Sequence, residues 1–262
     1  MSLNLEVVAA ALAGLLAGSF LNVCIYRWPR DLSVVWPGSH CPECGHAIAP
    51  YDNVPVLSFV LLGGRCRHCL SAIPWRYPVV EALTAVLFAL GVAKFGLTAW
   101  AAKFALHAFL LLGMIFSDLE TRLLPDQFTK GGIVLGLICA AVAPLERNPF
   151  TYLMGGSDPR VHSIVEAAFA AVFLSGVVWL VGEAYTRIRG REGLGFGDVK
   201  MLAMIGAFQG LLPGLFTLFL GVVSGSVLGL AYIYLTRKDP ATYQLPFGSF
   251  LGAAALITAL TR

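Results

Sequence analysis

The sequence predicts an all-α polytopic membrane protein of about eight transmembrane helices, with a small zinc-ribbon-like insert on the cytoplasmic side after the first helix. Three observations lead to this prediction. The 262-residue chain is 58% apolar and only 13% charged, whereas soluble domains average about 25% charged residues. Its apolar residues form runs long enough to cross a bilayer. Four of its six cysteines form two Cys-x-x-Cys pairs inside the only sizeable polar segment.

The apolar runs predict eight spans. The first is long enough to cross the membrane and is followed by further spans, so it is not a cleaved signal peptide. The sixth and the eighth are the shortest. Gly210-Leu-Leu-Pro213 is typical of a tight turn between the sixth and the seventh. The predicted spans are 5–26, 78–96, 98–117, 129–145, 162–185, 198–211, 213–235 and 246–261.

The lysine and arginine residues predict the orientation. Thirteen of the 18 fall in segments that share one side of the membrane, and the richer side is normally cytoplasmic. These segments are 27–77, 118–130, 186–200 and 236–245. The net charge of +3 gives no reason to expect a nucleic acid partner. The chain therefore divides into a first helix (1–26), a cytoplasmic insert (27–77) and a membrane domain (78–262).

The insert carries the cysteine cluster, which we define as Cys41, Cys44, Cys66 and Cys69. Two Cys-x-x-Cys pairs at this separation match a four-cysteine zinc site. Disulfides or a redox dithiol are the alternatives, and a reducing cytoplasm argues against stable disulfides. An insert of about 50 residues is too small to form much of a hydrophobic core, so we expect a bound metal to stabilise it. Four thiolates would close the coordination sphere, which predicts structural rather than catalytic zinc.

Two aspartates lie at the ends of long apolar runs, where ionisable residues are costly and are functional candidates. Asp118 follows the third span, and Asp198 begins the sixth. Two such carboxylates suggest general acid–base catalysis on one substrate. One carboxylate would take a proton from water, and the other would give a proton to the leaving group. The alternative for Asp118 is a simple interfacial charge.

Residues near the aspartates are candidates for supporting them. Gly195 and Gly197 would let the backbone approach a substrate chain or a facing helix. Asp198 suits a helix N-terminus, where the dipole favours an anion. Lys200 could tune Asp198 or contact a lipid phosphate. Pro125 interrupts a helix, so Asp126 lies in a loop or caps the next span.

Several segments, which follow in order along nearly the whole chain, together resemble the motifs of a known protein family. They are Gly18-Ser-Phe-Leu-Asn-Val23, the two Cys-x-x-Cys pairs, Asn53-Val-Pro-Val-Leu-Ser58, Arg76-Tyr-Pro-Val-Val-Glu81, Asp118 through Leu-Pro-Asp126, Gly193-Leu-Gly-Phe-Gly-Asp-Val-Lys200 and Leu245-Pro-Phe-Gly248. With them the chain resembles the bacterial prepilin peptidases, which are GxGD-type membrane aspartic proteases. That family cleaves the leaders of type IV prepilins and type II secretion pseudopilins.

The resemblance implies that Asp118 and Asp198 are the catalytic aspartates of a metal-independent protease at the cytoplasmic face of the bacterial inner membrane. It also implies N-methylation of the new terminus with S-adenosylmethionine, because the insert belongs to the bifunctional type. Gly64 and Arg65 form a flexible basic turn that could hold the carboxylate of this cosubstrate. The implied partners are the N-terminal helices of prepilins or pseudopilins and the lipid bilayer.

Two features depart from the family pattern: the outside loop between Pro144 and His162 is long, and Ser249 stands where a second proline is usual. Two alternatives to the bifunctional enzyme remain. One is a peptidase without methyltransferase activity. The other is a polytopic transporter or assembly scaffold with a zinc domain. Inverted repeats would favour this alternative, and the sequence shows none. The sequence leaves open which prepilins are cut, which aspartate is the base, and the oligomeric state.

Overall fold

The computed structural model describes residues 2–145, 158–190, 193, 195–237 and 245–261, and most of them are helical. Most of the outside loop, residues 146–157, therefore lies outside the described part of the chain. The helices are α1 (Ser2–Arg27), α2 (Leu57–Leu61), α3 (Arg76–Phe95), α4 (Ala99–Thr121), α5 (Asp126–Val142), α6 (Pro159–Arg189), α7 (Phe196–Gln209), α8 (Leu211–Thr236) and α9 (Phe247–Thr261). The β-pairing in the described residues consists of two isolated bridges in the insert. The predicted all-α class is confirmed.

Five of the helices are long and apolar enough to cross a membrane: α1, α3, α4, α6 and α8. A sixth, α9, is apolar but shorter. Helices α5 and α7, with 17 and 14 residues, also coincide with predicted spans. The prediction of a polytopic membrane protein is thus confirmed, and the count of eight spans stays a prediction.

The chain packs as two compact units, Met1–Gly113 and Met114–Arg262. In the first unit, α1 and α3 lie unusually close because two glycines face α3. A Cβ on Gly14 would come within 2.6 Å of the Cα of Ala85, and one on Gly18 within 2.7 Å of the Cα of Glu81. Small residues spaced four apart allow this approach between membrane helices.

The second unit is built around α7, which is the most deeply buried of its helices. A Cβ on Gly206 would lie 2.7 Å from the backbone of Ala170 in α6. Gln209, at the end of α7, is buried and fully engaged. Its amide donates to the Ala255 carbonyl of α9, and its oxygen accepts from the Thr217 hydroxyl of α8. This polar contact joins the end of α7 to α8 and α9.

The turn between α7 and α8 is shorter than the sequence predicted. Gly210 alone makes the break, with a φ of 81°, and α8 already begins at Leu211. Pro213 lies inside the first turn of α8, where the missing N–H of proline has no helical acceptor to lose. The prediction of a turn as far as Pro213 was wrong for this reason.

Candidate active site

Asp118 and Asp198 lie where three helix ends meet. Asp118 is in the last turn of α4 and is 6% exposed. Asp198 is in the first turn of α7 and is half-buried. The third helix end is the first turn of α9, which brings Gly248 and Ser249 to the aspartates. We call Asp118 and Asp198 the aspartate pair.

Gly248 occupies the position between the two carboxyl groups. A Cβ built on it would lie 3.2 Å from Oδ1 of Asp198 and 3.3 Å from Cγ of Asp118. It would also lie 3.2 Å from Cδ1 of Leu124. The backbone can therefore pass between the carboxyl groups only because this residue has no side chain.

Ser249 binds Asp118 directly. Its backbone N–H donates to Oδ2 of Asp118 at 2.7 Å, and its hydroxyl lies 2.8 Å from the same oxygen. A hydrogen bond to a charged group typically contributes about 1.5–3 kcal/mol. A position at a helix end contributes up to about 2 kcal/mol for a partly buried group. The two contacts from Ser249 together therefore have the larger influence on which aspartate carries the negative charge.

The two glycines predicted to support the aspartates, Gly195 and Gly197, have distinct positions. Gly195 precedes the first residue of α7, and its carbonyl accepts from the N–H of Asp198 at 3.0 Å. A Cβ on Gly197 would come within 3.1 Å of the Leu124 side chain. Leu124 thus contacts the positions of both Gly197 and Gly248, and it holds the α4–α5 connection against the two helix starts.

Asp126 and Lys200 contact each other rather than the aspartate pair. The carboxylate of Asp126 pairs with Lys200 on α7 and, at 2.7 Å, with Lys130 one turn along α5. These two lysines, Lys130 first, lower the pKa of Asp126 to about 2. The prediction that Asp126 lies in a loop or caps the next span was wrong. Asp126 is the first residue of α5, and the N-cap of α5 is Pro125, one residue earlier. The ion pairs connect the α4–α5 turn to the start of α7.

The cysteine cluster brings four sulfur donors close enough together to hold one metal ion. The four Sγ atoms lie within 4.8 Å of one another, and those of Cys41 and Cys69 are 3.8 Å apart. With Zn–S bonds of about 2.3 Å, a regular tetrahedron places its sulfurs about 3.8 Å apart. The donor set and its spacing therefore fit zinc.

The two halves of the cluster have the same local fold. The N–H of Cys41 donates to His46 and that of Cys66 to Ser71, both at 2.9 Å. An isolated bridge flanks each half, His40 with Ala47 and Arg65 with Ala72. Backbone N–H groups lower the pKa of the Cys41 thiol to about 6, with that of Cys44 first. This favours the thiolate, which is the form that binds a metal.

The second half of the cluster is tied to the rest of the insert. The guanidinium of Arg67 donates to both carboxylate oxygens of Asp52, at 2.6 and 2.7 Å. This bidentate pair lowers the pKa of Asp52. Arg67 also lies over the Tyr51 ring, 5.8 Å from its centroid.

Gly64 and Arg65 form the turn that leads into the second half of the cluster. Gly64 has a φ of 67°, and a Cβ there would lie 3.0 Å from the Phe59 ring. The turn alone therefore explains the glycine. The Arg65 side chain is exposed, and in the described part of the chain no acidic group is paired with its guanidinium. It is free to meet the carboxylate of a small molecule.

Sequence reasoning assigned no role to Gly248 and Ser249. The signal was present, because the segment Leu245-Pro-Phe-Gly248 carried part of the family resemblance and Ser249 is a polar residue at the start of an apolar run. What was missing was the contact itself, which joins residues 131 positions apart.

The chain is similar to known proteins along nearly all of its length. The Type IV leader peptidase family model matches residues 104–230, and the Bacterial Peptidase A24 N-terminal domain model matches residues 12–95. A prepilin leader peptidase/N-methyltransferase from Pseudomonas aeruginosa is 35% identical over 97% of this chain and 90% of its own length. The chain belongs to the bacterial prepilin peptidase family.

Other members of the family show the same level of similarity. A prepilin leader peptidase/N-methyltransferase from Pseudomonas putida is 34% identical over 97% of this chain and 90% of its own length. A type 4 prepilin-like proteins leader peptide-processing enzyme from Escherichia coli O78:H11 is 34% identical over 96% of this chain and 92% of its own length. No solved structure matches the chain significantly. The aspartate pair lies inside the leader peptidase match and the cysteine cluster inside the N-terminal match, whereas Ser249 lies beyond both.

Proposed function

We propose that this chain is a membrane-embedded aspartic endopeptidase. It removes the leader from type IV prepilins or type II secretion pseudopilins and then N-methylates the new terminus. The observation that supports the peptidase most directly is the placement of the Asp118 and Asp198 carboxyl groups on either side of Gly248. The names of the curated relatives support both activities for the family.

Proteolysis would use the aspartate pair as one unit. Two carboxylates this close cannot both ionise cheaply, so they share one proton. The ionised member takes a proton from water, whose oxygen attacks the scissile carbonyl carbon, while the protonated member donates to the carbonyl oxygen. The tetrahedral intermediate then collapses, the C–N bond breaks, and the departing nitrogen takes a proton. The products are a leader carboxylate and a free amine.

The location of the site supports this substrate class. The aspartates lie at the ends of apolar helices, where a hydrophobic substrate helix can enter from the bilayer while its basic leader stays in water. The distribution of lysine and arginine supports an inner membrane protein whose site faces the cytoplasm. The leader should meet exposed acidic residues such as Glu120. Asp126 is a weaker candidate because two lysines already neutralise it.

Methyl transfer needs a neutral amine aligned with a methyl donor, and proximity supplies most of the rest. S-adenosylmethionine would supply the electrophilic methyl group. In this proposal Arg65 binds its carboxylate, and Gly64, with its φ of 67°, forms the turn that presents Arg65. The cysteine cluster would hold zinc and stabilise the insert that presents them.

Mass spectrometry of a co-expressed prepilin tests both activities together. We expect the prepilin to lose its leader and gain one methyl group in the presence of this protein, and to stay intact in its absence. Leader loss without methylation would favour the peptidase that lacks methyltransferase activity. An intact prepilin would contradict the peptidase itself and leave the transporter or scaffold alternative.

A further inference from the structure

The aspartate pair is unequal in its hydrogen bonds. Oδ2 of Asp118 receives the backbone N–H of Ser249 at 2.7 Å and faces the Ser249 hydroxyl at 2.8 Å. For Asp198, no hydrogen bond to a side-chain oxygen is found among the described residues, and its nearest surroundings include the Gly195 and Gly248 positions. Donors stabilise a carboxylate in its charged form. The charge of the pair therefore has a better site on Asp118 than on Asp198.

We propose that Ser249 is a positioning residue that holds Asp118 as the ionised member of the pair. Asp118 then acts as the general base, and Asp198 carries the shared proton to the carbonyl oxygen. This inference rests on the proposed peptidase function. It assigns to the two aspartates the separate roles that the sequence leaves open.

The hydroxyl and the backbone donor contribute differently. The N–H of Ser249 also lies 3.1 Å from the Pro246 carbonyl, and its direction is fixed by the helix. The hydroxyl has one hydrogen and two acceptors in reach, Oδ2 of Asp118 and, at 3.1 Å, the Ile115 carbonyl. It can therefore donate to a charged Asp118 and turn to Ile115 when Asp118 becomes protonated. Loss of the hydroxyl should cost the charged form more than the neutral form.

The other charged groups around the pair do not reverse this order. Arg122, which directly follows the last residue of α4, donates to the Asp118 carbonyl and adds positive charge on that side. Lys200 on α7 and Lys130 on α5 are both paired with Asp126. Helix α9 has no ionisable residue. The helix ends favour Asp198, in the first turn of α7, over Asp118, in the last turn of α4, but the two hydrogen bonds that Asp118 receives from Ser249 together outweigh a helix-end effect.

The pH dependence of cleavage separates this assignment from its reverse. The pair is active with one proton, so the rate falls on the acid side when the pair gains a second proton and on the alkaline side when it loses its last one. If Asp118 is charged in the active form, the Ser249 hydroxyl stabilises the product of the first ionisation. Removal of the hydroxyl then moves only the acid limb of the rate profile to higher pH. If Asp198 is charged instead, Asp118 ionises last. Removal of the hydroxyl then moves only the alkaline limb to higher pH.

The experiment measures kcat/KM for cleavage of one purified prepilin against pH with the full-length enzyme. We expect Ser249→Ala to move the acid limb up by about one pH unit and to leave the alkaline limb in place. Ser249→Thr keeps the hydroxyl and should show the wild-type pH profile. Ser249→Pro also removes the N–H, which the first turn of a helix tolerates, and should move the acid limb further. The matched control is Thr258→Ala, which removes a buried hydroxyl from α9 that donates to the Ala254 carbonyl.

Each outcome decides between the alternatives. A shift of the alkaline limb would overturn the assignment in favour of Asp198 as the base. Unchanged limbs in Ser249→Ala and Ser249→Pro would show that Ser249 only packs the helix start, and would overturn it as well. If Ser249→Ala does not fold, the Pro and Thr variants make the same comparison. A wild-type enzyme that does not cleave would remove the peptidase function itself, which the variant profiles alone cannot do.

Discussion

The aspartate pair and the cysteine cluster differ in how they are assembled. All four cysteines lie within 29 residues of sequence in one insert, and each half closes on itself through its own backbone hydrogen bonds. The aspartate pair joins the end of α4 to the starts of α7 and α9, and its closest contact spans 131 positions. A local site should survive distant changes. A site made from three helix ends should be sensitive to small displacements of any of them.

The largest effect outside the aspartates themselves is expected from Gly248→Ala. The new Cβ would press on Asp198, Asp118 and Leu124 at 3.2–3.3 Å, so the carboxyl groups must move by a few tenths of an ångström. Misplacement of reacting groups is costly, and we expect cleavage to fall about tenfold to a hundredfold. Gly131→Ala is the matched control, because its Cβ would meet no atom within 4 Å. Equal cleavage rates for both variants would show that the gap at Gly248 is not part of the site.

Removal of the proposed zinc site should affect the insert and spare the aspartates. Wild-type protein should carry about one zinc per chain, and Cys41→Ser/Cys44→Ser should carry almost none. Leader cleavage by this variant should stay within a few-fold of wild type if the two sites are independent. Elemental analysis and the cleavage assay on one preparation test both points. Cys139→Ala, outside the cluster, should keep its zinc, and equal zinc in all three proteins would place the metal elsewhere.

Arg65 tests whether the insert serves methylation separately from proteolysis. We expect Arg65→Ala to reduce methyl transfer more than cleavage, because an exposed guanidinium would be lost from the proposed carboxylate site. Arg65→Lys, which keeps the charge but not the planar fork, should lie in between. Both activities are read from the mass of one prepilin. Slow cleavage with full methylation would instead indicate that Arg65 positions the peptide.

The smallest effect is expected at the ion pairs of Asp126. Lys200→Met removes one of two partners, and Lys130 remains at 2.7 Å. Because the Asp126 carboxylate is 47% exposed, its ion pair with Lys200 is screened by water, and cleavage should fall only a few-fold. A loss as large as that of Gly248→Ala would show that Lys200 acts on the aspartate pair itself.

The sequence alone was informative where the signal is local. Apolar runs predicted the helical membrane class. The Cys-x-x-Cys spacing predicted a cysteine cluster, and its four sulfurs lie within 4.8 Å of one another. Asp118 and Asp198 could be singled out because carboxylates at the ends of apolar runs are rare. Neither spacing nor periodicity could show that Ser249 contacts Asp118, since that contact depends on how α9 packs against α4. The close approach at Gly14 and Gly18 was missed because a GxxxG pattern indicates a contact without naming the partner helix.

The central claim is that Asp118 and Asp198 act together on one peptide bond. It is tested most directly by the cleavage rate of purified Asp118→Asn and Asp198→Asn on the same prepilin as the wild type. Asparagine keeps the size of the side chain but cannot carry a proton through the reaction. We expect each variant to lose at least about 10³-fold in cleavage while folding normally and retaining its zinc. Wild-type cleavage by either variant would contradict the claim.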